Sequence, residues 1–394
     1  MPARSEAGAS RGLTVLQPGN TTEAEPFRFS LFSTAPQSAA YAGKVYAAHL
    51  AEVARWSEEA GCSGILIYSD NRLIDPWIAT QIVLTNTARL CPLVAVQPAY
   101  MHPYSVARMV TSLAYLYGRR IYLNMIAGGF RNDLTALCDE TPHDQRYARI
   151  SEYTSIIQQL LTGKTPVTFA GDFYRVKNLS LQPLLPSDLM PGVFVSGSSP
   201  AGMKTAAALN AVAVEYPKPG EEYPPLEPRC NMGIRIGIIA AETDEQAWQL
   251  AQQRFPADRK GQIRHALAMK LSDSQWHKQL SAMEQDTSGQ RSVYWLWPFK
   301  NYNTFCPYLV GGYETVSNEI SKYMRAGFTR YILDIPLAER DLHSCQTAFR
   351  MAAASLASAD ANTLSRTIPL TALAANPPVL PGAAKAIATT RGRE

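Results

Sequence analysis

The fold is decided by Gly192-Val193-Phe194-Val195-Ser196-Gly197-Ser198-Ser199-Pro200 and the run from Ala201 to Leu209 behind it. A short apolar stretch stops at four small residues. Ser199 then stands where a helix N-cap belongs, and Pro200 takes the first helical position. A strand that runs straight into a helix is the repeating unit of a parallel α/β protein. The strand is apolar throughout rather than alternating, as expected when both faces are covered.

Working outward, the same unit recurs. Strands are predicted at Phe27–Phe32, Gly64–Tyr68, Pro92–Gln97, Ile121–Ile126, Gly192–Ser196, Ala211–Val214, Met232–Ala240 and Tyr331–Asp334. Helical spacing covers Tyr41–Ala60, Ser105–Leu116, Gln145–Leu161, Pro200–Leu209, Asp244–Arg254, Tyr313–Ala326 and Glu339–Ala357. Eight strands, mostly followed by helices, are the count of an α/β TIM (β/α)8 barrel; an open doubly wound sheet has the same alternation. Two features break the rhythm. The sixth strand is followed by Glu215-Tyr216-Pro217-Lys218-Pro219-Gly220 and by Pro224, Pro225 and Pro228, so the sixth crossover is proline-rich and irregular. Residues 255–303 form an insertion rich in aromatic residues, placed like a lid. A shorter excursion, 167–185, holds the hairpin-like Ala170-Gly171-Asp172.

These limits give one barrel at residues 26–360, a loose leader at 1–25 and a loose tail at 361–394. Composition narrows the class further. The chain has 394 residues, 46% of them hydrophobic, which excludes global disorder. Its formal charge of +4 is mild and no dense basic run occurs, which argues against nucleic acid as the main partner. No apolar run reaches the roughly 18–20 residues of a membrane helix, and no secretory h-region opens the chain. Six scattered cysteines, without CxxC or Cys/His clustering, exclude a zinc site and fit a cytoplasmic protein.

Chemistry is expected where barrel strands end. The turn Ser196-Gly197-Ser198-Ser199 presents N–H groups and hydroxyls at a positive helix end, which suits a phosphate; it is also what an ordinary capped turn looks like. Asn124 is an amide inside an apolar strand, able to bond a heteroaromatic ring edge or to staple its neighbours. His143 and Tyr147 open a helix and could reach a phosphate, or Asp144 could simply cap that helix. Arg235 is a charge within Gly233–Ile238 and needs an anionic partner, either a ligand or Glu215 or Asp334. Tyr216, Gln97 and His102 sit at or beyond strand ends on the expected substrate side, and the insertion, with Arg291, Trp297 and Lys300, would close over the site, Trp297 and Lys300 contacting substrate. The chain has no GxGxxG opening a βαβ unit, no Walker A motif, no GxSxG and no HExxH. That leaves a phosphate-bearing organic cofactor as the source of chemistry.

Gly118-Arg119, Asn124 with Gly128, His143-Asp144-Gln145-Arg146-Tyr147, Phe169–Tyr174, Gly197-Ser198-Ser199 and Glu242–Trp248 follow one another in an order and spacing that resembles the flavin-dependent luciferase-like monooxygenases, most closely their alkanesulfonate monooxygenase branch. The resemblance runs from about Phe27 to Ala357. It implies a TIM barrel that uses reduced FMN from a separate NAD(P)H:flavin reductase, reacting with O2 through a C4a-peroxyflavin. Asn124 would then face the isoalloxazine, while Tyr147, Ser198 and Ser199 hold the phosphate with His143 nearby. Arg235 matches a family active-site arginine, and Tyr216 takes the place of a tryptophan.

The sulfonate enzymes' cysteine after the second strand is Leu73 here, their histidine after the strand-seven arginine is Gly237, and their last-strand tyrosine is replaced in Asp334-Ile335-Pro336. The implied activity is insertion of one oxygen atom into a small organic molecule, free or carrier-tethered, in secondary metabolism rather than into a simple alkanesulfonate. A homo-oligomer, dimer or tetramer, is implied as well. The competing expectations are a non-catalytic flavin-binding barrel and a deazaflavin-dependent oxidoreductase.

Overall fold

The computed structural model describes residues 29–128, 131–224, 231–271, 275–283 and 291–367. Eight strands close into a parallel barrel: β1 Ser30–Thr34, β2 Gly64–Ile67, β3 Cys91–Val96, β4 Tyr122–Ile126, β5 Val193–Ser196, β6 Val212–Glu215, β7 Met232–Ala241 and β8 Arg330–Leu333. Each pairs with its sequence neighbour. The ring closes where β8 returns to β1 in the register Leu31↔Tyr331. The expected barrel is therefore the fold, and the open sheet is not.

Helices fill the crossovers: α1 Gly43–Glu59, α2 Pro76–Asn86, α3 Pro103–Tyr117, the short α4 Arg131–Ala136, α5 His143–Thr162, α6 Pro200–Ala208, α7 Asp244–Arg254, α8 Arg259–Leu271, α9 Gln275–Ala282, α10 Trp297–Lys300, α11 Tyr313–Arg325 and α12 Glu339–Thr367. The barrel belongs to one compact unit, Phe27–Leu356. The expected leader and residues 368–394 of the expected tail lie outside the described residues. No described helix is long and apolar enough to cross a membrane.

Alternation along the strands builds the barrel interior in two layers. Below lies an apolar plug of Phe32, Leu66, Leu93, Phe194, Val214 and Ile332. Within it Phe32 meets Tyr122 and Phe194 edge to face, at centroid distances of 5.3 and 5.2 Å. Two residues further along, β2 to β8 present their next inward positions: Tyr68, Ala95, Asn124, Ser196, Tyr216, Arg235 and Asp334. These border a cavity. The plug is thus the floor of the site.

Helix α2 was not anticipated from the sequence. Its buried residues, Trp77, Ala79, Thr80, Val83 and Leu84, share one face, but Ile78 and Ile82 make the opposite face apolar as well, so no 3.6-residue contrast marks it in the sequence. The turn after it is pinned from two sides. Glu58 of α1 accepts the backbone N–H groups of Ala88, Arg89 and Leu90. Burial raises the Glu58 pKa, but those three N–H groups and the nearby Arg89 charge outweigh it and hold the carboxyl below its usual range. From the other side Arg119 donates to Thr87 Oγ1 at 2.8 Å, to the Leu90 carbonyl at 3.1 Å and to the Leu84 carbonyl. Gly118-Arg119 is accordingly a structural motif at the base of the barrel.

The sixth crossover has no long helix among its described residues. It holds the single 3-10 turn Gly220–Glu222. Tyr294 and Tyr323 donate to the Pro217 and Lys218 carbonyls, both at 2.7 Å, and Gly220 N donates to Glu319 at 2.6 Å. Tyr223 stacks edge-on against Tyr323 and Phe328. The shortened crossover is therefore a strap fastened to α11 and to the insertion, not an opening in the wall.

Strand β7 is longer than its neighbours. Gly233–Ile236 pair with β8, whereas Gly237–Ala241 leave the ring and pair with an added parallel strand, Tyr308–Gly312, itself edged by Tyr294–Trp295. Replacing Arg119 by Met should lower stability by about 2–3 kcal/mol, because the charge-assisted bonds to two buried carbonyls disappear. A shift of the urea midpoint at unchanged m-value would show it.

Candidate active site

The cavity above the plug has a volume of about 1180 Å3 and is walled by the C-terminal ends of the strands and the loops beyond them. That exceeds the ~300–1,000 Å3 of a typical single-ligand pocket, so it has room for two molecules side by side.

One half gathers donors around a helix N-terminus. Ser199 caps α6, its side chain accepting Gly202 N at 3.2 Å. Gly197 has φ +144°, and a Cβ there would lie 1.9 Å from Tyr147 Oη. Only glycine lets the turn pass so close to that phenol. Tyr147 is buried and its hydroxyl reaches Ser196 O at 3.5 Å. Burial pushes its pKa up, and the Ser199 hydrogen bond and Arg146 only partly offset this, so it remains a neutral donor.

His143 begins α5 and lies edge-on to Tyr147 at 5.3 Å. Its Nδ1 contacts Asp144 at 2.7 Å. Asp144 therefore faces His143, and Pro142 holds the N-cap position without a side-chain cap bond. Asn124, 4% exposed, accepts a hydrogen bond from Ser196 Oγ at 2.8 Å through Oδ1. Its Nδ2 takes no part in that bond. Ser196, Ser198, Asn124, His143 and Tyr147 all border the cavity, so the structure brings this sequence-predicted set together.

The other half is centred on Arg235, 9% exposed, whose guanidinium stacks on the Tyr68 ring at 4.9 Å. Of its possible carboxylate partners, Asp334 is the near one, with Nη2 3.7 Å from Oδ1. That is an ion pair but too long for a hydrogen bond. Glu215 instead accepts the Tyr223 hydroxyl at 2.7 Å. Arg235 Nε and Nη2 have no hydrogen-bond partner, nor does Nε2 of the buried Gln97. All three donors belong to residues of the cavity wall.

Asp334 is itself held by Thr304 Oγ1 and by Tyr308 Oη, the latter at 2.8 Å. Tyr308 stands in the space a side chain at position 237 would need: a Cβ on Gly237 would lie 2.3 Å from its ring. Position 237 is thus filled from the added strand rather than by a side chain of its own. Tyr216 borders the same half, and burial, Cys306 and Asp334 all raise its pKa, which keeps it a neutral phenol.

Four expected substrate-side residues lie elsewhere. His102 caps α3, its ring accepting Tyr104 N at 3.2 Å. Lys300 donates to the Met283 carbonyl at 2.7 Å. Trp297 packs in the cluster around Trp248 and Tyr308, and Arg291 pairs with Glu245 on the surface. None borders the cavity: His102 is taken up by the α3 cap, and Trp297, Lys300 and Arg291 are engaged with the insertion and α7. Sequence reasoning missed Thr304 and Tyr308; their only signal was proximity to a strand-like apolar run. Among the described residues no group of three or more His, Cys, Asp or Glu could hold a metal.

A parallel barrel with an anion cradle at β5 and unpaired buried donors at β3 and β7 defines a cofactor-dependent enzyme site of the barrel type. The chain belongs to the luciferase-like monooxygenase family, whose model matches residues 27–330, and is a flavin-dependent monooxygenase. A relative, 4-(gamma-L-glutamylamino)butanoyl-(BtrI acyl-carrier protein) monooxygenase BtrO of Niallia circulans, is 34% identical over 306 residues, spanning 76% of this chain and 89% of that one. Similar solved folds include DmoA from Hyphomicrobium sulfonivorans, with TM-score 0.61, 15% identity and coverage of 86% and 89%. Another is the oxygenating constituent of 3,6-diketocamphane monooxygenase from the CAM plasmid of Pseudomonas putida, in complex with FMN, with TM-score 0.59, 14% identity and coverage of 83% and 98%.

Gly197→Ala should close the cradle. Its FMN affinity, followed by flavin fluorescence, is expected to fall at least about tenfold, to the level of riboflavin, which lacks the phosphate. Riboflavin binding itself should change little.

Proposed function

We propose that the protein uses reduced FMN, delivered by a separate NAD(P)H:flavin reductase, to place one oxygen atom from O2 on an organic acyl substrate carried by an acyl-carrier protein, within secondary metabolism. The observation that carries the cofactor assignment is the set of unpaired buried donors on Arg235 and Gln97, in the wall of the same cavity as the Gly197–Ser199 cradle. Buried donors left without acceptors are costly, so they fit a ligand that brings oxygen or nitrogen acceptors to them. FMN has both parts, a phosphate for the cradle and an acceptor-rich ring edge. The relative BtrO, by its name a monooxygenase acting on an acyl group on a carrier protein, supports the carrier-borne substrate.

Reduced FMN supplies the electrons that activate O2; the rest falls to the chain. Tyr147, Ser198, Ser199 and the α6 N-terminus would hold the phosphate. Asn124, fixed by Ser196, would orient the ring through Nδ2. Arg235 would place Nε and Nη2 against negative charge as it develops, in a site with little water to screen it. Asp334, tied to Thr304 and Tyr308, would keep the guanidinium in register without taking up those two donors.

Arg235→Met is expected to bind FMN more weakly, because donors that would meet the ring edge are gone, and at saturating FMN to lose about 10²–10³ in kcat, the usual effect of removing one preorganised donor. The assay couples the protein to a flavin reductase and NADH and reads product by mass for one added oxygen. A protein that binds neither oxidised nor reduced FMN would refute the proposal.

A further inference from the structure

We infer that the outer face of α8 is the docking site for an acidic carrier protein that brings the substrate to the cavity. This rests on the carrier-borne reading above and adds where the carrier sits. Helix α8, Arg259–Leu271, carries Arg259, Lys260, Arg264 and Lys270 and no Asp or Glu. Its charge of four equals the formal net charge of the entire chain, so the remainder is balanced.

Arg259, Lys260, Ile263, Arg264 and Leu267 are all exposed and follow one another at three- and four-residue spacing, which places them on one face. Ile263 and Leu267 keep 58% and 55% of their surface open to solvent one turn apart, although the cavity and the core both lie close by. Among the described residues none of the three cations beside them makes an ion pair.

The opposite face is already used. His265 is buried, 4.8 Å from the Phe299 ring, with Nε2 3.0 Å from Ser281 Oγ. The helix is therefore anchored, and its apolar-and-basic stripe is not a misplaced core face. Its position suits delivery: Arg264 on the stripe and Asp258 just before the helix both border the cavity. A partner seated on α8 is at the mouth, where a tethered acyl group gains a high local concentration.

Charge decides the kind of partner. A second copy of this chain would set the three exposed cations of one α8 against those of another, which is repulsive, whereas an acidic surface would pair with them and cover the two apolar side chains. Such an interface would weaken with salt, since its charges lie at the exposed rim.

The test measures binding of a fluorescently labelled holo-acyl-carrier protein, that of the BtrO reaction, to the full-length protein at low and high salt. The variants are Arg259→Glu with Lys260→Glu, and separately Leu267→Ser; these residues do not border the cavity, so FMN binding should stay at the wild-type value and confirm folding. The expected result is wild-type binding that weakens with salt and falls about tenfold or more in both variants. If the carrier binds wild type and both variants alike, the docking face is wrong while carrier delivery stands. If wild type fails to bind the carrier even at low salt, carrier delivery fails and the docking face with it. If light scattering shows a wild-type oligomer that the charge-reversed variant loses, the face belongs to a second copy of this chain and the inference is overturned.

Discussion

Everything at the working end of this protein rests on the apolar plug inside the barrel. Phe32, Leu66, Leu93, Phe194, Val214 and Ile332 fill the barrel below the site. Because side chains of a strand alternate with a period of two, filling one inward layer determines which residues form the next. Asn124 stands above Tyr122, Ser196 above Phe194, Tyr216 above Val214 and Asp334 above Ile332. A polar layer on a closed apolar floor follows, with the donors of Arg235 and Gln97 turned away from bulk water.

The two halves of the cavity are built by different parts of the chain. The anion cradle comes from β4, α5 and the β5–α6 turn, elements that are close in sequence and ordinary in geometry. The Arg235 half needs β7, β8 and an added strand that arrives after the long insertion. Tyr308 takes the space above Gly237, and Asp334 joins Tyr308, Thr304 and Arg235 in one network. The strap of the sixth crossover closes the wall beside them.

This division explains what could be read from residues alone. All eight barrel strands were legible because a parallel strand buried on both faces is a continuous apolar run. Ser199-Pro200 marked a helix start by its capping chemistry, and Arg235 stood out as a charge inside an apolar run. Helix α2 was not legible, since apolar residues on every side erase the period that marks a helix. Tyr308–Gly312 was not either: only three residues precede its two glycines, and its pairing partner lies far back in sequence at Gly237–Ala241. His102, Trp297 and Lys300 were aromatic or charged residues in the right segments, but segment position does not fix the direction of a side chain. The +4 charge suggested no concentrated surface because it is mild when averaged; in space much of it lies on one helix.

The fastening of Tyr308 over Gly237 bears on how such an enzyme changes over evolutionary time. The residues that shape the reactive half arrive on a segment whose length the barrel does not dictate. A change in that segment reshapes the Arg235 half while leaving the plug and the β5–α6 turn, which are built from other parts of the chain, in place. Because Tyr308 occupies the space above Gly237, any larger residue at 237 clashes with its ring, so the two positions can change only together.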